Sequence, residues 1–109
     1  MSGSISTHVL DTSLGTPAAG IAARLEREGE TLAAGVTDAD GRIREWSESV
    51  TLTAGAYTLR FRVAGYFAER ERASFYEEIA IVFVVADPEA KYHVPLLLSP
   101  FGYSTYRGS

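Results

Sequence analysis

Hydrophobic and polar residues alternate along most of the chain. Mostly apolar side chains stand at every second position, with polar ones between them, over residues 5–10, 21–27 and 57–63. This period of two is typical of a β-strand that buries one face. Residues 79–85 are apolar at every position, which indicates a strand covered on both faces.

Turn signals separate these segments at close intervals. They occur at residues 14–17, 28–30, 38–41 and 54–55. Within them, Gly41 supplies the positive φ that a tight turn needs. The hydrophobic pattern predicts further strands over residues 31–37, 92–98 and 103–106. Residues 67–74 combine good helix formers with mixed charge, so one short helix is predicted there.

Short strands, frequent turns and one brief helix predict an all-β protein. The architecture they favour is an antiparallel β-sandwich of seven to eight strands with one short helix. A chain of 109 residues is sized for a single domain, which we place over residues 1–109.

Composition narrows the classes of function. A net charge of −4 gives no support for nucleic-acid binding. The absence of cysteine excludes a disulfide framework, a thiol nucleophile and a cysteine-based zinc site, and it fits a reducing compartment. No segment is apolar over the length that spans a membrane, and residues 1–4 lack a basic or apolar signal region. We therefore expect a cytoplasmic protein with no membrane or nucleic-acid partner.

Two histidines and one arginine are the first candidates for chemistry. His8 and His93 lie in predicted strands, and histidine titrates close enough to neutral pH to act as a general acid or base. Arg42 follows the turn at 38–41, where its guanidinium can grip a planar anion or a carbonyl. Each residue alone is more simply a solvent-facing side chain without a role. For the two histidines, convergence in space is what would indicate a site.

Metal and cofactor chemistry find little support. The turn at 38–41 imitates the start of a calcium loop, but Arg42 stands where a third oxygen ligand belongs, so we reject calcium. Two histidines without cysteine make zinc a minority interpretation. The chain has no nucleophile elbow, phosphate-binding glycine loop or dinucleotide fingerprint. We expect no metal and no cofactor.

The C-terminal segment is rich in residue types that bind or react. Residues 106–109 read Tyr-Arg-Gly-Ser and offer a phenol and a guanidinium. The preceding Phe101 and Tyr103 favour an anchored segment over a disordered tail, because aromatic side chains tend to pack. We interpret residues 106–109 as a candidate part of a site.

Four motifs in this order resemble those of the transthyretin-like protein family. They are STHVLD at residues 6–11 with GTPA at 15–18, TDADGR at 37–42, YHVPLLLSP at 92–100 and YRGS at 106–109. The resemblance runs over nearly the whole chain. Its terminal tetrapeptide is similar to that of the family's hydrolases and not to that of its hormone carrier.

The resemblance implies hydrolysis of 5-hydroxyisourate, the first product of urate oxidation. The cyclic amide would open to 2-oxo-4-hydroxy-4-carboxy-5-ureidoimidazoline. The resemblance also implies a homotetramer with its sites where two dimers meet. The catalytic positions that it implies are His8, Arg42, His93 and Tyr106. The substrate-binding positions that it implies are His8, Arg42, Tyr106, Arg107, Gly108 and Ser109.

These residue types suit amide hydrolysis, which needs a base for water, stabilisation of an oxyanion and a proton for the leaving nitrogen. We expect His93 to activate water, with His8 as its partner. Arg42 is expected to hold the urate-like ring, and Arg42 or Arg107 to stabilise the oxyanion. Tyr106 would orient the ring or pass a proton.

Two other functions stay open at this point. One is a transthyretin-like small-molecule binding protein without activity, which has no need of two histidines and two arginines at these positions. The other is a passive structural sandwich, which predicts a monomer with scattered histidines. A size measurement, or the distance between His8 and His93 across subunits, would separate the active site from the passive scaffold.

Overall fold

The chain folds into two β-sheets packed face to face. The computed structural model describes residues 3–109; Met1 and Ser2, part of the N-terminal segment considered above, lie outside the described residues. Five strands form the first sheet: β1 (Ser4–Asp11), β2 (Thr16–Pro17), β5 (Arg42–Ile43), β8 (Lys91–Ser99) and β9 (Gly102–Thr105). Four form the second: β3 (Ala22–Arg27), β4 (Glu30–Val36), β6 (Gly55–Phe61) and β7 (Ile79–Val85). A short helix, α1 (Val63–Glu69), follows β6.

Strand alternation builds the core between the two sheets. In β1, Ile5 and Val9 are buried, whereas Ser6 and His8 lie half-buried on the opposite face. Strand β6 alternates in the same way. The predicted β-sandwich is confirmed, and the outer face of the five-stranded sheet carries the polar residues of β1.

One strand pair departs from the antiparallel arrangement. β1 and β8 run parallel, with Ser6 opposite His93 and His8 opposite Pro95. The other named strand pairs are antiparallel. This parallel pair joins the first motif of the chain to the histidine-bearing strand near its end, so it is the feature of the fold that assembles the site.

The predicted helix over residues 67–74 was wrong in its boundaries. The helix runs over Val63–Glu69, because Val63, Tyr66 and Phe67 fall on one face and are buried there. Glu71 has a positive φ of 53°, which is incompatible with a continuing helix. Helix propensity at residues 68–73 was outweighed by the burial of an earlier apolar face. Within residues 3–109, no helix has the length and apolarity needed to cross a membrane.

The expectation that residues 79–85 are covered on both faces was also wrong for the single chain. β7 is an edge strand, and its outward residues Val82 and Val84 are 69% and 67% exposed. Its inward residues Ile79 and Val85 are buried in the core. A continuous apolar run therefore marks here an edge strand with an uncovered apolar face.

Candidate active site

Three predicted site residues meet on the outer face of the five-stranded sheet. His8 pairs in register with Arg42 of β5 on one side and with Pro95 of β8 on the other. His93 lies two residues before Pro95, so strand alternation places it on the same face. Adjacent strands are about 4.8 Å apart. The two imidazoles and the guanidinium are therefore near neighbours.

The turn before β5 fixes the position of Arg42. The Asp38 carboxylate accepts hydrogen bonds from the backbone N–H groups of Asp40, at 2.9 Å, and of Arg42, at 3.1 Å. Gly41 has a φ of 76°, and a Cβ at this position would lie 2.3 Å from the carbonyl oxygen of Val9. A side chain here would push the turn away from β1, so the close approach requires glycine.

The guanidinium of Arg42 is unpaired, whereas the guanidinium of Arg44 is paired. Arg44 forms ion pairs with Asp38 at 3.1 Å and with Asp40 at 2.8 Å. Among the described residues, the Arg42 side chain has neither a hydrogen bond nor an ion pair. Arg42 is half-buried beside His8 and can bind an anionic or carbonyl group there.

The surroundings of His93 favour its neutral form. Burial lowers the pKa of the His93 imidazole below its ordinary value, and the charges of Arg42 and His8 lower it further. The His93 Nδ1 atom lies 2.9 Å from the Ser6 hydroxyl oxygen. A histidine with a lowered pKa is unprotonated near neutral pH, so His93 can accept a proton from a reacting group.

The C-terminal segment runs beside β8 and reaches His93. The backbone N–H of Gly108 donates to the carbonyl of His93 at 2.8 Å, and the two residues form an antiparallel bridge. The hydroxyl of Thr105 donates to the carbonyl of Pro95 at 2.7 Å. A Cβ at Gly108 would lie 2.6 Å from Cδ2 of His93. Gly108 therefore permits the terminal segment to lie directly against the imidazole.

Tyr106 and Arg107 are not brought to His93 within one chain. The Arg107 guanidinium lies over the ring of Tyr92, 4.6 Å from its centroid, and Tyr92 is buried on the inner side of β8. Tyr106 is 58% exposed, and Ser109 is also exposed. Tyr106 and Arg107 line a cleft of about 330 Å³ together with residues of β7 and β8.

Sequence reasoning missed Ser6, the hydrogen-bonding partner of the His93 ring. The available signal was the alternation of β1, which places Ser6 on the same face as His8. The parallel register with His93 has no sequence signal of its own. In the part of the chain that the structure describes, no three His, Cys, Asp or Glu side chains are grouped so that they could hold a metal ion.

Chemically, the outer face combines a proton acceptor with an anion-binding group. A neutral His93, the neighbouring His8 and the unpaired Arg42 guanidinium converge on a half-buried surface. A base and a cation close together can activate water and stabilise the negative charge that its attack creates. The arrangement suits hydrolysis of a carbonyl compound that carries polar or anionic groups.

Comparisons with known proteins agree over almost the whole length. The model of the HIUase/Transthyretin family matches residues 5–108. A 5-hydroxyisourate hydrolase of Halalkalibacterium halodurans is 44% identical over 119 residues, and the alignment covers 100% of both chains. The structure of Klebsiella pneumoniae 5-hydroxyisourate hydrolase has a TM-score of 0.87 and 48% identity, covering 96% of this chain and 98% of that one.

A relative with a different name has the same fold. The crystal structure of transthyretin from Sparus aurata has a TM-score of 0.87 and 30% identity, and the match covers 95% of each chain. The backbone therefore does not distinguish the two kinds of relative. The matched family model and the extent of the identity together establish that this chain belongs to the HIUase/Transthyretin family.

Proposed function

We propose that this protein is an enzyme that hydrolyses 5-hydroxyisourate to 2-oxo-4-hydroxy-4-carboxy-5-ureidoimidazoline in urate degradation. The observation that carries the proposal is the meeting of a neutral His93 with His8 and the unpaired Arg42 on one face of the sheet. Relatives of matching length that bear the name 5-hydroxyisourate hydrolase support it. The proposed location is cytoplasmic, and a chain without cysteine fits a reducing compartment.

In the proposed reaction, His93 takes a proton from water as the water oxygen attacks the amide carbonyl carbon of the ring. The new C–O bond converts the carbonyl into a tetrahedral oxyanion, which Arg42 stabilises; one such donor contributes on the order of 3 kcal/mol. The intermediate then collapses and the C–N bond breaks. The protonated His93 returns its proton to the leaving nitrogen, which becomes the amino end of the ureido group. The carbon becomes a carboxylic acid, which releases its proton to solvent and gives the carboxylate.

His8 and the terminal segment complete the site in this proposal. His8 lies between His93 and Arg42, where it binds the ring and shares in proton transfer. Tyr106 orients the ring or passes a proton. Arg107, Gly108 and Ser109 bind substrate, and Gly108 is the terminal residue that already lies against His93.

The proposed assembly is a homotetramer with the sites where two dimers meet. The site face is open in one chain, and Tyr106 is exposed without a hydrogen-bonding partner among the described residues. The uncovered Val82 and Val84 of the edge strand β7 support a further contact between copies. Light scattering should give a mass four times the 11.8 kDa of one chain; a monomer at micromolar concentration would contradict this assembly.

The test is the fate of the substrate in labelled water. 5-Hydroxyisourate is generated in situ with urate oxidase in H₂¹⁸O, and its ultraviolet decay and products are followed with and without the protein. We expect faster decay and one ¹⁸O atom in the carboxylate of the ureidoimidazoline product. Decay no faster than the spontaneous rate, with binding of the substrate retained, would instead favour the non-catalytic carrier.

A further inference from the structure

Ser6 lies within hydrogen-bonding distance of the proposed base across the parallel strand pair. Its hydroxyl oxygen lies 2.9 Å from Nδ1 of His93, and the two residues are directly opposed in the parallel pair of β1 and β8. Both side chains are half-buried on the outer face. Because sheet register sets this contact, it does not depend on a mobile loop.

The opposite edge of the imidazole is closed by Gly108. A Cβ at Gly108 would lie 2.6 Å from Cδ2 and 3.3 Å from Cγ of His93. Ser6 therefore occupies the Nδ1 edge of the ring, and the terminal backbone occupies the Cδ2 edge. Of the two ring nitrogens, Nε2 has no hydrogen-bonding partner among the described residues.

A neutral imidazole carries one proton, and the partner of one nitrogen decides which nitrogen holds it. A serine hydroxyl can accept from Nδ1–H or donate to a bare Nδ1. In the first case the lone pair of Nε2 is free to take a proton; in the second, Nε2–H is a donor and His93 cannot act as a base through that atom. The role of His93 therefore depends on its tautomer.

We propose that Ser6 is a positioning residue that accepts a hydrogen bond from Nδ1–H of His93 and so makes Nε2 the atom that takes the proton from water. This inference rests on the proposed function and specifies how its base is oriented. When Nε2 gains the proton, Nδ1–H keeps its bond to Ser6, so the imidazolium is held in the same orientation until it releases the proton to the leaving nitrogen. The ring does not have to turn between the two proton transfers.

The tautomer can be measured without any turnover. Protein carrying ¹⁵N- and ¹³C-labelled histidine is examined by NMR well above the ordinary histidine pKa of ~6.5, where both rings are neutral. We expect the Nδ1–H signature for His93 in the wild type and in Ser6→Thr, and a shift towards Nε2–H in Ser6→Ala. Ser4→Ala is the matched control, because Ser4 lies on the same face of β1 but is exposed; it should leave the signature unchanged. An Nε2–H signature in the wild type would overturn the proposal.

Kinetics supplies the second readout. Ser6→Ala should lower kcat by up to about 100-fold, the order of loss that misplacement of a reacting group can cause, with a much smaller change in KM. Ser6→Thr should restore most of the rate, because it returns the hydroxyl, and Ser4→Ala should behave as the wild type. A loss confined to KM, or one shared by Ser4→Ala, would contradict a positioning role. If the wild type does not hydrolyse 5-hydroxyisourate, the proposed function fails while the NMR result still decides the tautomer.

Discussion

Asp11 and His93 are both shielded from solvent, fully and in part respectively, but they differ in how many of their polar atoms form hydrogen bonds. The Asp11 carboxylate is 0% exposed, and both of its oxygens are occupied. One oxygen accepts from Tyr66 at 2.8 Å and from Arg72 at 2.7 Å; the other accepts from Ser13. His93 uses Nδ1 and leaves Nε2 without a partner among the described residues.

The pKa values of the two groups follow from these surroundings. Burial raises the pKa of Asp11, but hydrogen bonds from Arg72, Ser13 and Tyr66 outweigh it and bring the pKa to about 2. At His93 no such compensation exists: burial and the nearby positive charges both lower the pKa. Asp11 is thus fixed as an anion that ties α1 to β1, whereas His93 is held neutral with an unused acceptor. A buried group with every atom satisfied stabilises the fold, and one with a free atom is available for chemistry.

The largest expected effect is on the reaction, in His93→Asn. Removing the base should lower kcat by about 100- to 10,000-fold, because the asparagine amide cannot take the proton from water. The unfolding free energy should change little, since the ring is only half-buried. Steady-state ultraviolet assays and urea unfolding on the same preparation measure both. Near-normal turnover would contradict the assignment of His93 as the base.

Removal of residues 106–109 should also affect the reaction more than the fold. The backbone of Gly108 would no longer support the His93 carbonyl, and Tyr106 would be lost. Misplacement of a reacting group can cost on the order of a hundredfold in rate, and we expect that size of loss in kcat/KM. The midpoint of urea unfolding should move little by comparison. Equal fractional losses of rate and stability would show that the segment is structural.

Asp11→Asn is the reverse case and should affect the fold more than the reaction. It leaves Arg72 without its ion-pair partner and is expected to lower the unfolding free energy by about 3 kcal/mol, with kcat unchanged below the unfolding temperature. Asp40→Asn is the matched control, because its side chain is 68% exposed and it should have little effect on stability. Loss of turnover in folded Asp11→Asn would contradict the assignment of a structural role to Asp11 and a catalytic role to His93.

The same carboxylate should contribute an acid-dependent part of the stability. The folded pKa of about 2 lies below the unfolded value of 3.8, so the unfolded chain binds more protons in this range. The contribution is fully present above about pH 4 and is lost as the pH falls towards 2. Urea unfolding as a function of pH should show this loss in the wild type and not in Asp11→Asn. A parallel pH dependence in both would contradict the paired state of Asp11.

The smallest expected effect is a shift in the pKa of His93 in Arg42→Gln, which is measured separately from that variant's loss of oxyanion stabilisation. The positive charge of Arg42 lowers the pKa of His93, so its removal should raise that pKa. NMR titration of His93 measures the change. Arg44→Gln should leave the pKa of His93 unchanged, because the Arg44 charge is paired with Asp38 and Asp40. A His93 pKa that is the same in the wild type and in Arg42→Gln would show that Arg42 does not act on the base.

Local sequence patterns predicted the strands and their buried faces. They could not predict which strands pair when those strands are far apart in the sequence. The alternation in β1 and β6 reports which side of each strand is buried, so the sandwich could be predicted from it. The pairing of β1 with β8 joins residues 87 positions apart, and no local pattern encodes a parallel register over that distance. Sequence reasoning therefore found His8, Arg42 and His93 as candidates but could not show that they meet.

Three sequence-based predictions failed or fell short, for the helix, for β7 and for Ser6. The charged helix formers at residues 68–73 suggested a later helix, but the apolar face of Val63, Tyr66 and Phe67 determined its position. The apolar β7 suggested a central strand, whereas it lies at the edge of its sheet. Ser6 was overlooked because a serine in an alternating strand has no distinguishing local feature.

The most direct test compares the wild type, His93→Asn and Asp11→Asn in one experiment. Each protein, at equal concentration and at a temperature where all three are folded, is added to 5-hydroxyisourate generated in situ, and the ultraviolet decay is recorded. The account predicts accelerated decay with the wild type and with Asp11→Asn, and the spontaneous rate, or one close to it, with His93→Asn. Spontaneous decay with the wild type, or equal acceleration by all three proteins, would contradict it.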